Sequence, residues 1–131
     1  MNIKLWIDDC RRPPAWDWAW ATNSWQAIEY LYAACEVGGP TIEIISFDHD
    51  LGGADTSMRV ANELERLVYD GIILMPDWEI HSANPPGRAN LARALTSADR
   101  FAKQWRDRLA SPQSICAHTN EVHGEVPYRE R

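Results

Sequence analysis

Three stretches of the chain carry groups able to do chemistry: Asp8 and Asp9 in "LWIDDCRRPP", Asp48, His49 and Asp50 in "IEIISFDHDLGG", and His81 and Ser82 in "HSANPPGRAN". Carboxylates crowded into one pocket raise each other's pKa or recruit a divalent cation, and all-oxygen ligands suit hard ions better than zinc. Asp8, Asp9, Asp48 and Asp50 are therefore candidate ligands for Mg2+ or Mn2+. An imidazole beside carboxylates can titrate near neutral pH, so His49 and His81 are candidate general acids or bases, with Asp48 as a third catalytic candidate. In "HSANPPGRAN" two prolines prepare a helix start, where free backbone N–H groups favour an anion. Ser82, Asn84, Arg88 and Asn90 add donors there, as phosphate recognition requires. Arg11 and Arg12 come directly after the acidic pair, and one of them can balance its charge or clamp phosphate oxygens, which makes Arg12 a further phosphate candidate. Each signal also has a plainer structural reading, since aspartates cap loops after strands and histidines pack. Cys10 adjoins the acidic pair, which raises a thiol pKa and disfavours a cysteine nucleophile. His118, Glu121 and His123 in "HTNEVH" have metal-ligand spacing of a kind that polar tails produce by chance.

Short apolar runs must position these groups. "IKLWID" (3 to 8) and "TIEIISFD" (41 to 48) read as buried strands ending in polar residues. "WDWAWAT" (16 to 22) sets Trp16, Trp18 and Trp20 against Asp17, Ala19 and Ala21 with the period of a strand. "DWEIHSAN" (77 to 84) is a fourth strand by its place after a helix and the Pro76 turn. Between them lie three helical patterns. The first has Asn23 or Ser24 as cap and Trp25, Ile28, Leu31 and Cys35 at helical spacing. The second starts from a cap near Thr56, stops at Gly71 and turns Val60, Leu64, Leu67 and Val68 inward. The third carries Leu91, Leu95, Ala98, Phe101 and Trp105. This alternation predicts an α/β fold, a doubly wound and mostly parallel sheet of 4 to 5 strands with helices on both faces. Ligands of such sheets bind beyond the carboxyl ends of the strands, where all three chemical stretches fall.

Length and composition agree with one folded domain over residues 1 to 131, with 111 to 131 as a polar C-terminal extension. A hydrophobic share of 45% and seven tryptophans supply ample apolar area, and the tryptophans are expected mainly in the core, with Trp6 or Trp16 available to stack on a base. A net charge of -6 argues against duplex DNA and long RNA as partners while leaving a small phosphorylated ligand open. Cys10, Cys35 and Cys116 lack disulfide or zinc-knuckle spacing, which fits a reducing cytoplasm. Neither a signal peptide nor a membrane segment is expected.

"LWIDDCRRPP", the tryptophan-rich second strand, "ISFDHDLGG" and "HSANPPGRAN" together resemble the cyclic-phosphate-processing receiver domain family, a divergent branch of the response-regulator receiver fold, over roughly residues 3 to 92. The resemblance implies a flavodoxin-like sheet, a magnesium-binding role for Asp8 and Asp9, and a phosphoacceptor position for Asp48. It makes Ser82 the hydroxyl residue at the end of the fourth strand. His49, Asp50, His81, Asn84, Arg88 and Asn90 match the divergent branch, for which processing of cyclic phosphates in nucleotides or RNA ends is proposed. The chain departs from ordinary receivers twice: "RRPPA" stands where the first helix would be, and the lysine of a fifth strand has no counterpart, which leaves Arg12 or Arg88 as substitutes.

The expected function is hydrolytic opening of a cyclic phosphate, with a small cyclic-phosphate ligand or an RNA end as partner, in a bacterial or phage-infected cell. The alternative is a non-catalytic receiver-like module that binds a cyclic nucleotide or is phosphorylated on Asp48. Two imidazoles near the carboxylates favour the enzyme, because phospho-switching needs none.

Overall fold

Branched apolar runs bounded by polar residues form four strands, and the amphipathic runs between them form three helices, in a computed structural model that describes residues 1–110. The order is β1 (Asn2–Ile7), β2 (Trp18–Ala21), α1 (Ser24–Cys35), β3 (Thr41–Phe47), α2 (Met58–Tyr69), β4 (Asp77–Ile80) and α3 (Pro85–Ala110). The sheet is parallel throughout, with spatial order β2-β1-β3-β4. The chain thus starts in the interior of the sheet and winds outward, the flavodoxin-like arrangement. "RRPPA" forms no helix, so the first helix of an ordinary receiver is missing, as the sequence predicts.

Register decides what the carboxyl edge presents. Ile7 lies opposite both Ala21 and Phe47, and Phe47 lies opposite Ile80. The ladder then continues one rung further: Asp8 N donates to Ala21 O at 3.1 Å, Asp48 N to Ile7 O at 3.0 Å, and His81 N to Phe47 O at 2.9 Å. Asp8, Asp48 and His81 therefore form a row across three adjacent strands.

The two faces of the sheet differ in chemistry. On one, Leu5, Ile7, Ile42, Ile45 and Phe47 meet Ile28 and Leu31 of α1, Val60 and Leu64 of α2, and Leu91 and Leu95 of α3. A bulge at Ile3/Lys4 shifts the β3 register, which is why the inward positions of β3 pass from Ile42 to Ile45 rather than keeping strict alternation. α1 packs on α2 and α2 on α3, so within the described residues the helical layer covers this face. The opposite face carries Lys4, Trp6, Trp18, Trp20, Ser46 and Glu79 across registered strands. There the segment that replaces the first helix returns over the sheet, pinned by Trp6 Nε1 donating to Arg11 O at 2.8 Å and by Lys4 paired with Asp17 at 3.3 Å.

Several local expectations change. Trp6 is buried and Trp78 half-buried, but Trp16 is 94% and Trp25 62% exposed, so the tryptophans do not build the core. Trp16 lies outside β2, and Trp25 faces outward because Ser24, Ala27, Ile28 and Leu31 fill the buried stripe of α1. The fourth strand ends at Ile80, since Ser82 and Asn84 already engage the start of α3. Asn23 is the cap of α1, accepting from Gln26 N at 2.9 Å. Thr56 Oγ1 accepts from Met58 N at 3.3 Å, while Ser57 occupies the cap position of α2 without a side-chain capping bond. α2 stops at Gly71, whose φ of +73° suits glycine and whose missing Cβ leaves room for the Trp105 ring. Among the described residues no helix is long and apolar enough to cross a membrane.

Replacing Asn23 by Ala removes the α1 cap and should lower unfolding free energy by about 1 kcal/mol. Trp16→Ala, at a fully exposed position, should change it by less than about 0.5 kcal/mol. Urea titrations monitored by circular dichroism distinguish the two; equal losses would mean that Trp16 packs against something after all.

Candidate active site at the carboxyl edge

Asp8 is fully buried and charged, a placement that demands compensation. Its Oδ1 accepts from Cys10 N at 2.9 Å and Arg11 N at 2.8 Å, as the chain turns sharply after β1. Its Oδ2 meets His81 Nε2 at 2.9 Å and Arg11 Nε at 3.0 Å. Burial pushes the Asp8 carboxyl up, but the two backbone N–H groups, His81 and the Arg11 guanidinium outweigh it and hold the pKa below the ordinary value. Arg11 also reaches toward Asp48 Oδ1 at 3.6 Å and donates to His81 O at 3.3 Å. One guanidinium therefore spans the carboxylates of neighbouring strands. Asp48 has fewer donors: burial and the Asp8 charge raise its pKa, against the opposing pull of Arg11, His81 and the His49 N–H.

His81 is enclosed by this network. Its ring stacks on Trp6 with centroids 3.9 Å apart and planes within 5°. Nδ1 lies 2.8 Å from Ser46 Oγ, whose hydroxyl donates to Glu79 Oε2 at 2.8 Å, and Nε2 is held by Asp8. Both ring nitrogens are committed.

A second network stands next to the first. His49 Nδ1 lies 2.9 Å from Asp50 Oδ1, and Asn84 Nδ2 donates to Asp50 Oδ2 at 3.1 Å. Those hydrogen bonds, Asn84 first and His49 second, hold the Asp50 pKa below its ordinary value. An ionised Asp50 accepts from Nδ1–H of His49, so in the neutral imidazole Nε2 is the acceptor nitrogen. Asn84 Oδ1 also accepts from Gly87 N at 3.1 Å and so caps α3. The His49 ring lies against Gly87, where an added Cβ would fall 2.4 Å from Cγ of the ring; only glycine admits the imidazole here.

The other candidates fall in different places. Ser82 is buried and accepts from Asn84 N at 3.1 Å. Arg88 uses Nη1 on the carbonyls of Ile80 and Ser82, both at 3.0 Å, tying α3 to the end of β4. Asn90 is exposed, accepts from Arg93 at 3.0 Å and lines a groove between α2 and α3 with Met58 and Asn62. Arg12 is exposed and takes no part in the network among the described residues. The charge-balancing arginine is Arg11, whose neighbour in sequence is chemically identical; only the turn after β1 separates their roles. Asp55 carries no motif, yet its Oδ2 accepts from Ser24 N at 2.9 Å and ties the loop after β3 to the start of α1. Cys10 and Cys35 are free thiols, and Asp9 first and burial second raise the Cys10 pKa. His118, Glu121, His123 and Cys116 lie outside the described residues.

Asp8, Asp9 and Cys10 offer ligand atoms within 4.8 Å of one another, the group among the described residues best placed for a metal. Asp50 is engaged elsewhere by His49 and Asn84. The oxygens of Asp9 and Asp48 have capacity for a hard cation, but both oxygens of Asp8 are taken, one of them by Arg11. For a divalent ion to be held by this donor set, the Arg11 guanidinium would have to leave Asp8 Oδ2.

A parallel sheet of this order with aspartates one residue beyond its two central strands has the site of a receiver-like protein. The family model of the cyclic-phosphate processing receiver domain matches residues 3–97, from β1 into α3, and the chain belongs to that family. No curated protein and no solved structure matches it.

The opposed environments of the two carboxylates give substitutions opposite signs in metal-free protein kept in chelator. The lowered pKa of Asp8 contributes stability above its unfolded value, lost as pH falls through the folded one. The raised pKa of Asp48 carries a penalty that grows as pH rises from its unfolded value through the folded one. Asp8→Asn should therefore destabilise the fold at pH 7, by about 1–3 kcal/mol, whereas Asp48→Asn should stabilise it; denaturant melts showing the same sign for both would contradict these assignments. Arg11→Ala should bind Mn2+ roughly tenfold more tightly than the parent, a gain of about 1.4 kcal/mol, as read by calorimetric titration. Unchanged affinity would mean that Arg11 and the ion do not compete.

Proposed function

We propose that the chain is a phosphoesterase that hydrolytically opens cyclic phosphates in nucleotides or at RNA ends. The single observation that carries this reading is the pairing, at one sheet edge, of a carboxylate-held guanidinium with an Asp50-oriented imidazole whose Nε2 has no hydrogen-bond partner among the described residues. Water attacks phosphorus and gives its proton to His49 Nε2; the bond from phosphorus to one ribose oxygen breaks, and a proton returns to that oxygen. One water is added, and nothing is oxidised or reduced. Asp50 holds His49 in the tautomer this transfer needs. Arg11, together with the donors of Arg88 not spent on carbonyls, stabilises charge developing on the phosphoryl oxygens. Ser82 and Asn84 act as positioning residues, and Arg12 and Asn90 would have to reach in from exposed positions. His81 supports Asp8 rather than moving protons. When Mg2+ or Mn2+ is bound by Asp8, Asp9 and Asp48, it supplies Lewis-acid polarisation of a phosphoryl oxygen. Unpaired thiols fit work in the cytoplasm of a bacterial or phage-infected cell.

Incubation with 2′,3′-cyclic and 3′,5′-cyclic mononucleotides, with and without Mg2+ or Mn2+, tests the proposal. Ring-opened monoester should form, and His49→Ala should slow it by about 10²–10⁴-fold, more than Asn84→Ala does. A stable phosphoprotein on Asp48 after acetyl phosphate, with no turnover of either nucleotide, would establish the receiver-like module in its place.

A further inference from the structure

The tryptophans that do not enter the core are unequal. Trp6 is closed between His81 and the edge of Trp18, whose ring centroid lies 5.7 Å away, and Trp18 lies under the Lys4 ammonium at 5.8 Å. Trp16 stands clear of the sheet on the loop before β2. Trp20 differs from all three. It is 37% exposed, and among the described residues no other ring or cation covers its faces. Its Nε1 donates to Asp8 O at 2.7 Å, which fixes the indole by the backbone of the residue that anchors Arg11 and His81. An aromatic surface held rigidly by its own N–H keeps its rotamer entropy cost low when a second ring stacks on it.

The geometry points to Trp20 as the base-stacking platform of the site, so that the preferred substrates are nucleoside cyclic phosphates rather than cyclic phosphates without a base. This rests on the phosphoesterase reading above. Trp20 belongs to β2 and Asp48 comes just after β3, with β1 between them, so the two are about two strand spacings or 10 Å apart across the sheet edge. A ribose with its phosphate bridges such a gap, placing the cyclic phosphate against Arg11 and Asp48 while the base lies on the indole. Neutral π-stacking also suits a protein of net charge -6, because it needs no excess of positive charge.

The test compares 2′,3′-cyclic AMP with methyl riboside 2′,3′-cyclic phosphate, the same sugar and cyclic phosphate with a methoxy group in place of the base. Stacking is worth about 1–3 kcal/mol per base, so KM for the nucleotide should lie roughly 5- to 150-fold below that for the riboside. Trp20→Leu should abolish the difference by raising KM for the nucleotide alone, Trp20→Phe should retain most of it, and Trp16→Ala should leave it intact. Should Trp20→Leu fail to fold, fluorescence decides: 2′,3′-cyclic AMP should quench the parent protein's indole emission, with most of that signal lost in Trp20→Phe. Equal KM for nucleotide and riboside in the parent, or a preference that survives Trp20→Leu, overturns the inference while leaving the phosphoesterase intact. If neither compound binds or turns over, the phosphoesterase reading fails and the platform with it.

Discussion

The whole site depends on one rung of the sheet. Three backbone hydrogen bonds carry the ladder one residue beyond the apolar row of Ala21, Ile7, Phe47 and Ile80. That single rung brings Asp8, Asp48 and His81 side by side although 73 residues separate the first from the last. A slip of one residue would turn every strand side chain to the other face and take the carboxylates with it. The register is itself secured by burial, because Leu5, Ile7, Ile45 and Phe47 are all fully enclosed and have nowhere else to go. Packing on the helical face thus sets the geometry of charge at the edge.

The missing first helix has consequences on the opposite face. In its place the segment between Asp8 and Trp18 returns over the sheet, where the Trp6 indole of β1 donates to the backbone carbonyl of Arg11. Because the chain turns back at once after β1, the N–H groups of Cys10 and Arg11 point at Asp8, and the Arg11 side chain folds into the acidic pocket. The turn therefore supplies both the donors that make a buried carboxylate tolerable and the cation that lies between Asp8 and Asp48. The charge of Asp8 is thus balanced locally, by an arginine only three residues away in sequence rather than by Arg12 or Arg88, the two named from the motif.

Periodicity made part of this structure legible in the residues. The strands, the buried stripe of α2 and the carboxyl-edge placement of Asp8, Asp48 and His81 all come from runs of apolar side chains and the polar residues that end them. Features set by three-dimensional neighbours resisted such reading. Nothing in "RRPP" distinguishes Arg11 from Arg12, because their difference arises in the turn. Of the period-two tryptophans expected on one face of the second strand, Trp18 and Trp20 share it while Trp16 lies before the strand, outside the pairing that sets the period. Asn90 lies within the same motif as Asn84, yet the intervening helical turns carry it round to the groove beside α2. Composition favoured buried tryptophan, and competition for the interior by smaller aliphatic residues that fit between sheet and helices placed Trp16 and Trp25 outside.

The two histidines show why proximity to carboxylates alone does not assign a role. His81 has an aspartate on one nitrogen, a serine relayed to a glutamate on the other, and an indole across its ring, so every direction from which a substrate could exchange a proton is occupied. His49 has one aspartate, and that aspartate is held by the residue that caps α3. Gly87 lets the helix approach the imidazole closely enough to fix its ring by packing. A fully satisfied imidazole strengthens the framework, since each of its bonds would have to break before it could act. An imidazole held at one nitrogen and oriented by packing is less constrained, and here its bonds couple the start of α3, the Asp50 carboxylate and the sheet edge in one hydrogen-bonded unit.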